Sequence, residues 1–168
     1  MPYFLLTFLV LIIDQLVKIV IVMKLLPFQN VWIISNVFAI SYVRNYGAAF
    51  GIMQSQKLLL IILSLLVILL VWFNRHKLTQ YPKILQMGLA IALGGALGNL
   101  VDRIRLGYVV DFLDFQVWPV FNIADIGIVC GVGLIILGLF FEQSQIWKKI
   151  SRGPQEVSRG SVSEEDIK

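Results

Sequence analysis

Among 168 residues there is one cysteine, Cys130, and one histidine, His76. A single cysteine excludes an intrachain disulfide, and its place inside an apolar run marks it as a small buried hydrophobe. One His and one Cys also leave too few ligands for a His/Cys metal site and no Cys–His nucleophile pair, so neither metal nor cofactor is expected. Charge is scarce as well: 14% of residues are Asp, Glu, Lys or Arg, where a soluble domain carries about 25%. In their place stand hydrophobic residues, 58% of the chain. One small globule cannot hide that much apolar surface, whereas a bilayer accepts it. The net charge is +4. Its basic residues sit between long apolar runs rather than on one wet face, which favours membrane phospholipid as their partner and argues against nucleic acid.

Four apolar runs are evident, at about residues 4–22, 58–73, 84–103 and 123–141. Each fits a helix crossing about 30 Å of hydrocarbon once its ends are allowed to shift. Residues 4–13 have neither a basic leader nor a small-x-small cleavage site behind them, so a retained helix is expected rather than a cleaved signal peptide. The expected fold is an all-α membrane protein of four transmembrane helices in one domain over residues 1–150. A disordered tail at 151–168, rich in Ser, Gly and charge, is expected to follow. Residues 31–43 mix β-branched and aromatic side chains, as short strands at the membrane surface do. Residues 51–57 read as a short interfacial helix.

Orientation follows from the loops. Arg75, Lys77 and Lys83 crowd the turn between the second and third runs, and Lys148, Lys149 and Arg152 follow the fourth. The positive-inside rule then puts both termini in the cytoplasm. Trp72 and Trp147 mark the inner interface, and Trp32 and Trp118 the outer one.

The informative residues are the polar ones that burial in lipid discourages. A charge near the bilayer centre costs about 2.5–3.5 kcal/mol on insertion scales, so such groups pair or serve a function. Asp14 and Lys18 are four apart on one helix face. Asn99, Asp102 and Arg103 repeat that spacing near the outer end of the third run. Both groups read equally as ion pairs that hold the helices together or as substrate contacts. Asp111, in VVDF, follows the third run, and Asp125, in FNIAD, opens the fourth. The end of one span and the start of the next share a side of the membrane, so two carboxylates can converge at the outer interface. Buried together they resist double ionisation and share one proton, the state an aspartic peptidase uses. Taken singly, Asp125 also suits a helix N-terminus. Intramembrane carboxylates also make proton relays, so a small proton-coupled transporter is the alternative; that reading expects acids near mid-span.

Four ordered blocks carry a resemblance. They are residues 14–18 (DQLVK), 44–51 (RNYGAAFG), 94–103 (GGALGNLVDR), and 110–112 (VDF) followed by 121–125 (FNIAD). Together they resemble lipoprotein signal peptidase, the signal peptidase II family. The resemblance implies an intramembrane aspartic endopeptidase with Asp111 and Asp125 as the catalytic pair. It implies Asn45, Gly47, Asn99, Arg103, Asn122 and Ala124 as positioning residues, with Asp14, Lys18 and Arg44 as supporting polar ones. It further implies a site at the outer face of a bacterial inner membrane, where a monomer removes signal peptides from diacylglyceryl-cysteine prolipoproteins. Globomycin-type cyclic peptides are the inhibitors it implies. Gly94/Gly98 and Gly127/Gly131 have small-xxx-small spacing, expected to serve helix packing.

Overall fold

The computed structural model describes residues 3–47 and 56–151, with the backbone alone from 144 onward. Among the described residues four helices are long and apolar enough to cross a membrane: α1 Phe4–Lys24, α2 Lys57–Leu78, α3 Lys83–Arg105 and α4 Ile123–Ser151, apolar as far as Gln143. At 1.5 Å per residue, the 21 residues of α1 reach about 32 Å, enough for the hydrocarbon. Two helices outrun their apolar runs. α2 continues through Asn74–Leu78 and α4 to Ser151, because hydropathy marks the slab that the helix crosses and says nothing of where its backbone stops. The turn therefore shrinks to residues 79–82, and its expected basic residues Arg75, Lys77 and Lys83 fall within the flanking helices. Arg75, His76 and Lys77 occupy the last turn of α2, where basic groups suit exposed carbonyls, and Pro82 immediately precedes α3. Of the expected interfacial helix at 51–57, residues 51–55 fall outside the described residues, while Gln56 precedes α2 and Lys57 opens it; of the tail expected at 151–168, residues 152–168 fall outside them and Ser151 closes α4.

α3 lies at the centre of the bundle because its glycines admit neighbours on two sides. Lipid tails are as apolar as leucine, so helices in a bilayer associate through close backbone packing rather than by escaping water. A Cβ on Gly94 would lie 2.7 Å from the Thr7 carbonyl of α1, and one on Gly88 2.6 Å from the Gly131 carbonyl of α4. Gly95 meets Ala124, and Gly138 of α4 meets Leu85. Both anticipated glycine pairs lie at these seams. The Thr7 hydroxyl adds a bond to the Ala90 carbonyl at 2.9 Å. α2 stands apart, with Leu60 its one buried residue. Cys130 is exposed on α4 rather than buried. A helix that is apolar all round leaves some of its side chains to face lipid, and sequence alone does not say which.

Beyond the bundle is a three-stranded antiparallel sheet in the order β1-β2-β3. The expected strand region gives β1 Asn30–Ile34 and β2 Phe38–Asn45, joined by a turn with Asn36 at φ 58°. The third strand, β3 Val109–Asp114, comes from the segment between α3 and α4 and was not anticipated. Gly107 at φ 86° turns the chain out of α3 toward it. Val43 pairs with Asp111 and Arg44 with Val110, with a bulge between Ile40 and Val43. Tyr42, Val110 and Phe112 pack with Ile21 of α1, which fixes the sheet to the helices.

Candidate active site

Asp111 sits within β3, and Asp125 in the first turn of α4. Asn122 connects them. Its side-chain amide donates to Asp111 Oδ1 at 2.6 Å. Its backbone N–H donates to Asp125 Oδ2 at 3.2 Å, and its side-chain oxygen accepts from the Asp125 N–H at 2.9 Å. The last two bonds form a capping box, so Asn122 is the N-cap and Asp125 its partner three residues on. Asn99, on α3, donates to Asp125 Oδ1 at 2.8 Å, and Asn45, ending β2, donates to Asp111 Oδ2 at 2.8 Å. Each carboxylate thus accepts two hydrogen bonds from separate elements of the fold.

The Asp111 carboxyl is pushed up to about 7. Burial is the largest cause, since a charge at 2% exposure loses its water. The neighbouring Asp125 charge is the second, while the bonds from Asn45 and Asn122 and the Lys18 charge pull the other way. Asp125 is only half-buried.

Beneath the pair lies one buried cation. Lys18 Nζ is 2.8 Å from Asp14 Oδ2, 2.9 Å from Asp102 Oδ2 and 3.0 Å from Asn99 Oδ1. Asp14 also accepts from the Ala124 N–H at 2.9 Å, which ties α1 to the start of α4. Asp102 accepts from the Val110 N–H at 3.1 Å, which ties α3 to β3. The two polar groups anticipated separately are therefore one network. Asp102 does not neutralise Arg103 next to it. Successive residues point about 100° apart on a helix, so Asp102 faces Lys18 while Arg103 Nη2 reaches the Gly47 carbonyl at 3.3 Å. Gly47 in turn donates its N–H to Asn45 Oδ1 at 2.9 Å.

Of the anticipated residues, Asp14, Lys18, Asn45, Asn99, Asn122, Ala124, Asp111 and Asp125 are brought together directly, and Gly47 with Arg103 closes the rim. Arg44 lies apart, its guanidinium 5.6 Å from the Tyr42 ring centre and 5.2 Å from that of Tyr108. Two participants were not singled out as site residues. Gln15 donates to Asp102 at 2.9 Å and to the Gly98 carbonyl at 3.1 Å; its signal was a second polar residue beside Asp14 in an apolar run. Asp102 was noticed only for its spacing. Among the described residues no buried side-chain polar atom lacks a partner, and no three His, Cys, Asp or Glu gather as metal ligands.

Fold and site together define a multi-pass membrane protein with two linked carboxylates where its helices meet a surface sheet. Residues 6–141 match the family model described as signal peptidase (SPase) II. The chain is 42% identical to the lipoprotein signal peptidase of Halothermothrix orenii, over 80% of this chain and 92% of that one. Identity to the protein of the same name from Moorella thermoacetica is 46%, over 79% and 88%. For that of Clostridioides difficile it is 44%, over 84% and 97%. Two solved structures of bacterial membrane enzymes superpose with TM-scores of 0.78 and 0.74, at 30% and 32% identity. The first covers 96% of this chain and 94% of its own. The chain belongs to the signal peptidase II family, and such membership implies a protease that processes lipoproteins.

Proposed function

We propose that Asp111 and Asp125 are the catalytic pair of an aspartic endopeptidase that cuts prolipoproteins immediately before a diacylglyceryl-modified cysteine. The observation that carries this reading is Asn122, which bonds to both carboxylates and holds them at one end of the bundle. Asp111, deeper and raised to about 7, holds the shared proton. Asp125, in the first turn of α4, carries the charge, which suits a helix N-terminus. Asp125 takes a proton from water as the water oxygen attacks the scissile carbonyl carbon, and Asp111 gives its proton to the carbonyl oxygen. Collapse of that adduct breaks the C–N bond: Asp125 passes the proton it took from water to the departing amine, one hydroxyl of the adduct returns its proton to Asp111, and the signal peptide departs as a carboxylic acid. Asn45 and Asn99 hold the two side chains in line, while Arg103, at the Gly47 rim, steadies the substrate backbone.

The substrate reaches such a site by lateral diffusion in the membrane. Arg75, Lys77 and Lys83 near the opposite end support a cytoplasmic position for that end, with the carboxylates outward in a bacterial inner membrane. Purified protein should cleave a lipidated precursor and leave the unlipidated one intact, with globomycin blocking the reaction. Equal cleavage of both precursors would remove the lipid from the account.

A further inference from the structure

At the end of the bundle away from Asp111 and Asp125, a cleft of about 190 Å³ lies between α1, α2 and α3. Phe4, Phe8, Val71, Trp72 and Leu93 line it, and Arg75 stands at its side. We propose that this cleft seats one acyl chain of an anionic phospholipid, with Arg75 on the phosphate.

The lining chooses the chain. Two polar side chains of the lining are already occupied: Thr7 bonds to the Ala90 carbonyl, and Gln86 donates to the Thr79 and Tyr81 carbonyls. What remains is hydrocarbon, and a bilayer fills hydrocarbon space with lipid tails rather than water. The charge chooses the headgroup. Arg75 lies 4.7 Å over the Trp72 ring and donates Nη1 to the Trp72 carbonyl at 3.0 Å, which holds the guanidinium at the helix end. It has no carboxylate partner among the described residues, so its other N–H donors remain for a phosphate. Lys77 shares its last helical turn and Lys83 opens α3, while residues 74–83 contain no Asp or Glu. A basic pocket between helices at a cytoplasmic end is where anionic headgroups bind. No lining residue takes part in the carboxylate network, so this is a separate site.

The headgroup assignment rests on the orientation proposed above. Its test reads binding rather than cleavage, so the two fail separately. The protein in nanodiscs or detergent is titrated with phosphatidylglycerol and phosphatidylcholine of equal chain length, and bound lipid is counted by native mass spectrometry. One phosphatidylglycerol should be retained with about a fivefold preference, the effect of one cation on a headgroup. Arg75→Gln should erase the preference and keep the chain. Val71→Trp should fill the cleft and lose both lipids, with precursor cleavage unchanged. Equal retention of the two lipids by the unaltered protein, retention by Val71→Trp, or displacement of the lipid by a precursor peptide would overturn the proposal.

Discussion

Lys18 Nζ lies 3.0 Å from the side-chain oxygen of Asn99, and this contact decides which way the Asn99 amide points. An ammonium only donates and a carboxylate only accepts, so the Asn99 oxygen must face Lys18 and its NH₂ must face Asp125, 2.8 Å away. A residue on α1 thereby orients a donor on α3 toward a carboxylate on α4.

Lys18→Met should therefore act on stability and turnover together. It strands Asp14 and Asp102, both at most 3% exposed, without their shared cation. Breaking a buried ion pair costs about 3–5 kcal/mol. Thermal unfolding in detergent should register that loss, and an unchanged midpoint would mean that the network does not hold the helices.

Asn122 has two tasks that substitution can separate. Serine is as good an N-cap as asparagine but too short to reach Asp111. Asn122→Ser should lower kcat and lose the buried bond to Asp111 while keeping the cap, whereas Asn122→Ala should melt lower still, by about 1 kcal/mol for the lost cap. If both variants cleave at the original rate, Asn122 does not position Asp111.

The raised Asp111 carboxyl makes stability depend on pH. Its usual value is 3.8 and its folded value about 7, so between them the folded protein holds a proton that the unfolded chain has released. The stabilisation is complete below about pH 3.8 and is lost as pH rises through about 7. Melting midpoints should fall across that window, and Asp111→Asn should flatten the fall. Cleavage should follow the same limb, declining above about 7 as Asp111 gives up its proton. A rate that keeps climbing with pH points to another nucleophile.

Gly98 tests the seam beneath the site. A Cβ there would sit 2.5 Å from Asp14 Oδ2 and 3.3 Å from the Ala124 Cβ. Gly98→Ala should push Asp14 off Lys18 and cost about 1–3 kcal/mol. Circular dichroism melts of this variant beside Gly133→Ala, whose added Cβ meets nothing within 4 Å, give the comparison.

What could be read in advance follows from the physics of each signal. The four spans were legible because hydrocarbon tolerates so few sequences, and the strands around Trp32 because β-branched and aromatic residues cluster there. The convergence of Asp111 and Asp125 followed from topology alone, since one span ends where the next begins. β3 was missed because VVDFLD is six residues long and draws its order from pairing with β2, which local sequence does not express. Lys18 joining Asp102 was hidden for the same reason: helical spacing reports neighbours on one helix and is silent about the helix across the seam.

The most direct measurement is cleavage of a lipidated precursor by purified Asp111→Asn and Asp125→Asn proteins that still melt cooperatively. Each isosteric change removes a carboxylate but keeps its shape, and both variants should show no turnover above background. Substantial cleavage by either one would contradict the assignment of these two side chains as the acid and base.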